Sequence, residues 1–157
     1  MQCKKLGWLL GLIVVTHTSP TLAELKAEDE IKFRQSAYMF MRWNVGKIKT
    51  QVIEQPQRYN QAEVEAAATA IVAVANSGLG ALFTEQSKRG KGWKETRVKA
   101  EFFQQPDDVK QLALDFKQQA EFLLTSTRSG DPAHIEAQFK KLIKACKACH
   151  KKFRSKD

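Results

Sequence analysis

The chain has 157 residues, with 26 lysines and arginines against 17 aspartates and glutamates, a formal charge of +9. Its three cysteines include one close pair, Cys146 and Cys149, which excludes a disulfide framework. The basicity raises nucleic-acid binding as a reading, but acids are interspersed among the cations and the chain begins like an exported protein, so a solvated basic surface is expected instead.

Met1 to Lys5 is a charged start, Leu6 to Val15 an apolar run, and Thr16 to Ala23 a polar stretch ending in small residues. That is the order of a secretory signal peptide, and ten apolar residues are too few for a membrane span, which needs about 20. Thr21 and Ala23 suit the subsites of a signal peptidase, so cleavage is expected after Ala23. Cys3 precedes the apolar run, which argues against a lipoprotein cysteine. The mature domain is then 24–157, one domain in size, with a formal +7 from 24 basic and 17 acidic side chains. A periplasmic address in a Gram-negative bacterium follows, with no membrane attachment after cleavage.

Four helical stretches follow. The first runs from about Glu28 to Glu54, with Ile31, Arg34, Tyr38, Met41, Val45, Ile48 and Val52 at steps of three and four, and Pro56 stopping it. The second starts at Asn60 as N-cap with Glu63 as capping-box partner, and carries Val64, Ala67, Ile71, Val74, Gly78 and Leu82 on one face. Its alanines and Gly78 are expected to admit a neighbouring helix closely. Residues 84–104 lose the period and read as a loop. The third helix opens at Pro106-Asp107-Asp108, carries Val109, Leu112, Phe116, Ala120 and Leu123, and ends at Gly130. Asp131 and Pro132 start the fourth, whose stripe is Ile135, Phe139, Leu142, Cys146, Cys149 and Phe153. The expected fold is all-α, an antiparallel four-helix bundle.

The fourth helix carries Cys146-Lys147-Ala148-Cys149-His150, the C-x-x-C-H pattern of covalent haem attachment. CxxC alone is shared with zinc and redox sites; the histidine at the next position is what thioether attachment requires. Each thiol can add to one haem vinyl group and the imidazole can reach the iron. On a helix the three side chains share one face, the apolar one, so they point into the bundle. Arg154, one turn beyond His150, is expected to disfavour protonation of the imidazole, which binds iron only when neutral; with Lys151 and Lys152 it also suits a helix C-terminus. The residues leave the sixth iron position open. His134 lies 16 residues from His150, roughly 24 Å along the helix, and is out of reach. Met41 shares a stripe with Tyr38 and is either an axial thioether or core filling. Met39, Phe40 and Trp43 form a second apolar strip that suggests a partner surface.

These residues carry a family resemblance. The run Cys146 to Arg154 and the first-helix run Phe33-Arg34-Gln35-Ser36-Ala37-Tyr38-Met39-Phe40-Met41 resemble the C-terminal signature and the distal RQ segment of cytochrome c′, in a subtype with tyrosine on the distal side. Asn44 to Lys49, Val64 to Ala68, Ala75 to Leu82 and Thr96 to Phe103 are similar as well, whereas Phe83 to Lys94 and Ala100 depart from the pattern. The resemblance implies a left-handed bundle with one covalent haem c and a homodimer packed through the first two helices. It implies Cys146 and Cys149 as attachment sites, His150 as the axial ligand and no protein ligand opposite. Tyr38 takes the distal position, Arg34, Gln35, Thr96 and Arg97 lie by the propionates, and Arg154 flanks the proximal pocket.

The expected function is a non-enzymatic periplasmic cytochrome with five-coordinate, mainly high-spin haem that binds nitric oxide and CO, serving nitric oxide binding or detoxification and electron transfer with an unknown redox partner. The alternative is a low-spin electron carrier with Met41 as sixth ligand. The distal stripe offers no acid–base pair beyond Arg34, so no catalytic apparatus is expected.

Overall fold

The structure, a computed structural model, describes residues 25–156; the expected signal segment and its expected cleavage point lie outside the described residues. The helices are α1 (Ala27–Lys49), α2 (Gln61–Asn76), α3 (Glu101–Gln104), α4 (Pro106–Thr127) and α5 (Pro132–Phe153). Among the described residues there is no strand, only two isolated bridges, Lys91 to Glu95 and Val98 to Arg154. The four long helices are those expected; α3 is a single added turn set off from α4 by Gln105.

Acids Glu28, Asp29 and Glu30 start α1 and Lys47 and Lys49 end it, each complementing the helix dipole. Its last turn widens into a π-turn, Thr50–Glu54, in which the Gln55 N–H donates to the Thr50 carbonyl at 2.7 Å. The π-turn is where Gln51 is buried. Gln51 donates to Glu63 Oε2 at 2.7 Å and accepts from the Asn60 N–H at 2.8 Å. Asn60 caps α2 as expected, accepting from the Glu63 N–H at 3.2 Å. The return half of the capping box is absent, because Gln51 has taken both groups that would have made it.

One expectation fails at the far end of α2. The helix stops at Asn76, and Gly78 lies outside it in the left-handed conformation, φ 79°. Gly78 therefore ends the helix and admits no neighbour, since only glycine adopts that angle without strain. The alanines do act as expected: Ala67, Ala68 and Ala75 are buried at the α2 face. The α4–α5 turn uses Gly130 at φ 69°, Asp131 accepting from the Ala133 N–H at 2.9 Å, and Pro132 as the first helical residue.

Helices α1 and α2, α2 and α4, and α4 and α5 pack as successive antiparallel neighbours, whereas α1 and α5 touch sparsely. The core runs through Ile48, Val64, Ile71, Leu123, Phe139 and Leu142, all essentially without solvent contact. Burial of such side chains contributes roughly 1.5–3 kcal/mol each relative to exposure. The π-turn closes on α5. Beyond that closure the N-terminal half of α1 and the C-terminal half of α5 face each other without packing tightly. The motif-bearing turn of α5 is placed along this loose seam.

Replacing Asn60 by Ala removes the α2 cap and leaves the Glu63 N–H without its acceptor. The expected cost is about 1 kcal/mol, read as a lower urea midpoint of the holoprotein with an unchanged slope.

Candidate haem-attachment site

Cys146, Cys149 and His150 occupy the last turns of α5, Cys146 lying one turn before the adjacent Cys149 and His150 on one face. Both thiols are free and half-buried, and Cys146 packs against the core. Burial pushes the Cys146 thiol up to about 11 and raises that of Cys149, so neither is a thiolate at neutral pH. Among the described residues no three His, Cys, Asp or Glu side chains converge as a metal cluster, so the pair lacks the further ligands a zinc site needs. Burial, then the charge of Arg97, lowers the His150 pKa from its ordinary value and favours the neutral imidazole.

Arg97 is the cation His150 feels, which corrects the expectation built on Arg154. That expectation assumed that α5 continues. Instead the helix ends at Phe153, and Arg154 turns to extended geometry (φ −119°, ψ 128°) with its side chain exposed. Residues 153–155 pair with 97–99: the Lys99 N–H donates to the Phe153 carbonyl at 3.0 Å and the Ser155 N–H to the Arg97 carbonyl at 2.9 Å. This clamp holds the end of α5 and brings Arg97 to the histidine.

The loop that supplies the clamp is fastened to α1 by the two residues that sequence singled out. Arg34, 2 % exposed, donates to the Leu82 carbonyl at 2.9 Å, to Ser87 Oγ at 2.9 Å, to the Ser87 carbonyl at 2.7 Å and to Thr96 Oγ1 at 2.8 Å. Its guanidinium also lies 4.7 Å from the centre of the Phe83 ring. Gln35 accepts from the Trp93 and Lys94 N–H groups at 2.9 and 3.2 Å and donates to the Lys94 carbonyl at 2.9 Å. Arg34, Gln35, Thr96 and Arg97 are thus brought to one junction, and the contacts of Arg34 and Gln35 are with the loop. A Cβ on Gly92 would sit 2.7 Å from the Lys32 backbone nitrogen, so glycine is required where the loop crosses α1.

Sequence reading missed the other half of this junction. Buried Glu30 accepts from Thr84 Oγ1 at 2.5 Å and from Gln86 Nε2 at 3.0 Å. Burial pushes its carboxyl up, but hydrogen bonds from Thr84, Ser87 and Gln86 and the charge of Arg34 outweigh this and leave it below the ordinary range. Phe83 stacks on Phe102 at 4.6 Å, and Phe102 meets buried Phe153 edge-on at 5.6 Å. Thr84-x-x-Ser87, a capping box in the structure, was the one local signal available. The aromatic contacts span loop, α3 and α5 and had none.

Tyr38, one turn beyond Arg34 on α1, faces the motif. Burial raises its phenol to about 12; the cysteines Cys149 and Cys146 add to the rise and Arg34 opposes it. The phenol is therefore neutral throughout the physiological range, although 44 % of the residue's surface remains exposed. Two free thiols one turn apart with a neutral imidazole beside them fit the donor set of a covalent haem, and the Tyr38 phenol lies across the seam from them. Met41, by contrast, is buried in the core cluster with Ile48, Val64 and Phe139.

This helical bundle with its attachment motif belongs to the class of four-helix c-type cytochromes. The family model described as cytochrome c′ matches residues 29–154. A cytochrome c′ from Rhodocyclus tenuis is 45% identical over 132 residues, 84% of this chain and 98% of that one. A solved cytochrome c′ described as having an unusual ligand-controlled dimer dissociation is 42% identical, with TM-score 0.80 over 85% of this chain and 100% of that one. A nitric oxide complex of a variant cytochrome c′ from Alcaligenes xylosoxidans is 26% identical, with TM-score 0.72 over 83% of this chain and 98% of that one. The chain belongs to the cytochrome c′ family, and its cofactor is covalently bound haem c.

Arg34→Met removes every hydrogen bond of the guanidinium and leaves Glu30 buried without its cation. The expected loss is about 3 kcal/mol or more, with faster amide exchange across 84–96 than across α2 and α4. Uniform acceleration over the whole chain would show that Arg34 does not specifically hold the loop.

Proposed function

We propose that the protein is a periplasmic gas-binding cytochrome, in which Cys146 and Cys149 hold the haem, His150 is the one protein ligand to iron and Tyr38 covers the opposite side. When bound, the haem supplies a redox-active iron that takes a small diatomic ligand. The observation that carries the reading is the opposition of the Tyr38 phenol to the α5 motif across the loosely packed α1–α5 seam. A neutral phenol is a poor iron ligand but a good steric cover. It excludes water and larger anions and yields to a neutral diatomic by moving aside. The burial of Met41 in the core supports five-coordinate iron over the methionine-ligated alternative. Arg34, the one cation near Tyr38 in the distal stripe, is committed to the loop, which supports a non-enzymatic role. The nitric oxide complex of the Alcaligenes relative supports nitric oxide as a ligand class here.

The α1 strip supports a homodimer through the first two helices. Met39, Phe40 and Trp43 are 61%, 47% and 59% exposed. Met39 and Trp43 border a hollow of about 690 Å³ that runs from Trp43 and Gly46 of α1 to Asn60 and Glu63 at the start of α2. Tyr38 is the neighbour of Met39, so displacing the phenol disturbs the helix that carries the dimer contact. Coupling then requires that the two assembly states bind ligand with different affinity.

The ferric protein is expected to give a high-spin spectrum that Met41→Ala leaves unchanged, and the ferrous protein to bind CO. A low-spin ferric spectrum lost in Met41→Ala overturns the reading in favour of the electron carrier. Tyr38→Ala is expected to raise CO affinity about tenfold or more, since displacing the side chain costs on the order of 1.4 kcal/mol per factor of ten. Sedimentation of the ferrous protein with and without CO checks the coupling: a lower dimer fraction with CO is expected, and an unchanged one removes it.

A further inference from the structure

The cations of this chain are unevenly placed. From Ala137 to Lys156 there are eight lysines and arginines and no acid, on the helix that carries the attachment motif. Lys140, Lys144, Lys147 and Lys151 follow one another at steps of four, three and four, and all are exposed. They form one stripe on α5, about 16 Å long at 1.5 Å per residue. Beside it lies a groove of about 580 Å³ between the end of α1 and α5. Its floor is Ile53, Phe139 and Ile143, and its rim is Lys49, Lys140, Lys144 and Lys147. Lys49 and Lys140 are paired with Glu54 and Glu136. Among the described residues Lys144 and Lys147 make no ion pair, and Lys147 sits between the two attachment cysteines.

An apolar floor inside a lysine rim, two of whose cations have no acidic partner, suits a protein with an acidic rim and its own apolar centre. We propose that this groove docks an acidic electron-donor protein against the haem-bearing helix. The length of the stripe favours a protein surface over a single carboxylate or phosphate headgroup, which would engage one or two lysines. The greasy floor, with Ile53 39% exposed, favours a protein over a nucleic-acid backbone. One electron leaves the donor's cofactor, oxidised by one, and reduces ferric haem to ferrous; no bond is made and no proton crosses the interface. The redox half rests on the haem reading above, while docking is measured separately.

The test uses the coloured holoprotein and flavodoxin, an acidic one-electron flavoprotein, as probe. Binding is followed by surface plasmon resonance and reduction by the flavodoxin hydroquinone in stopped flow, each at low and high salt. Lys140→Glu with Lys144→Glu is compared with Lys110→Glu with Lys117→Glu, the same charge change on α4. At low salt the α5 pair is expected to weaken binding and slow bimolecular reduction tenfold or more, the α4 pair less than threefold, with the differences shrinking at high salt. Ile53→Ser is expected to weaken binding at both salts. Equal losses in the two charge-reversed pairs would mean that net charge alone attracts the donor and would overturn the site. So would competition at the groove by a short DNA duplex or by oleate as strong as that by flavodoxin. A colourless protein would sink the haem reading, whereas a coloured one whose variants all dock alike would sink only this proposal.

Discussion

A buried arginine organises the end of the bundle where the haem is proposed to bind. Arg34 is almost wholly removed from water, and a guanidinium so placed is tolerable only if its donors are met and its charge is balanced. Leu82, Ser87 and Thr96 meet the donors, and Glu30, ionised by its own hydrogen bonds, balances the charge. None of these partners lies in a neighbouring long helix. They come from α1 itself and from the irregular segment between α2 and α4. The arginine therefore converts a loop into a fixed wall, and the wall positions the rest.

The consequences run outward in sequence. With the loop fixed, Phe83 meets Phe102 and Phe102 meets Phe153, which docks the last turn of α5. Residues 97–99 then pair with 153–155 and stop the helix just past His150. The histidine acquires Arg97 as its neighbour and keeps a neutral ring. On the other side of the seam Tyr38 rides on the same helix as Arg34, so the loop anchor and the proposed distal cover share one rigid element. A four-helix bundle whose α1 and α5 packed fully would leave no room between the thiols and the phenol. The π-turn brings the far ends of these helices together and leaves the near ends apart.

Much of this was legible without coordinates. Helix starts and stops were readable where a local rule operates: Asn60 and Asp131 as caps, Pro106 and Pro132 in first turns, Gly130 as a left-handed stop. The attachment motif was readable because its spacing is itself helical. Errors arose where a side chain had two uses. Glu63 fits a capping box, but Gln51 reached it first across a turn whose π geometry has no sequence signature. Gly78 fits a stripe, but it also fits a helix stop, and periodicity cannot rank the two. Arg154 is one turn from His150 only if the helix continues, which the pairing with Val98 prevents.

Local pattern alone determined the all-α class, the number of long helices, their buried stripes and the pair of thiols with its adjacent imidazole, because each depends on residues within one or two turns. Tertiary structure decided which cation faces the histidine, what Arg34 and Gln35 hold, and where two helices part to leave a seam. Those outcomes depend on contacts between residues some 50 to 60 positions apart, such as Arg34 with Ser87 and Thr96. No periodicity in the chain encodes such a pairing, since it is set only when the whole core has closed around it.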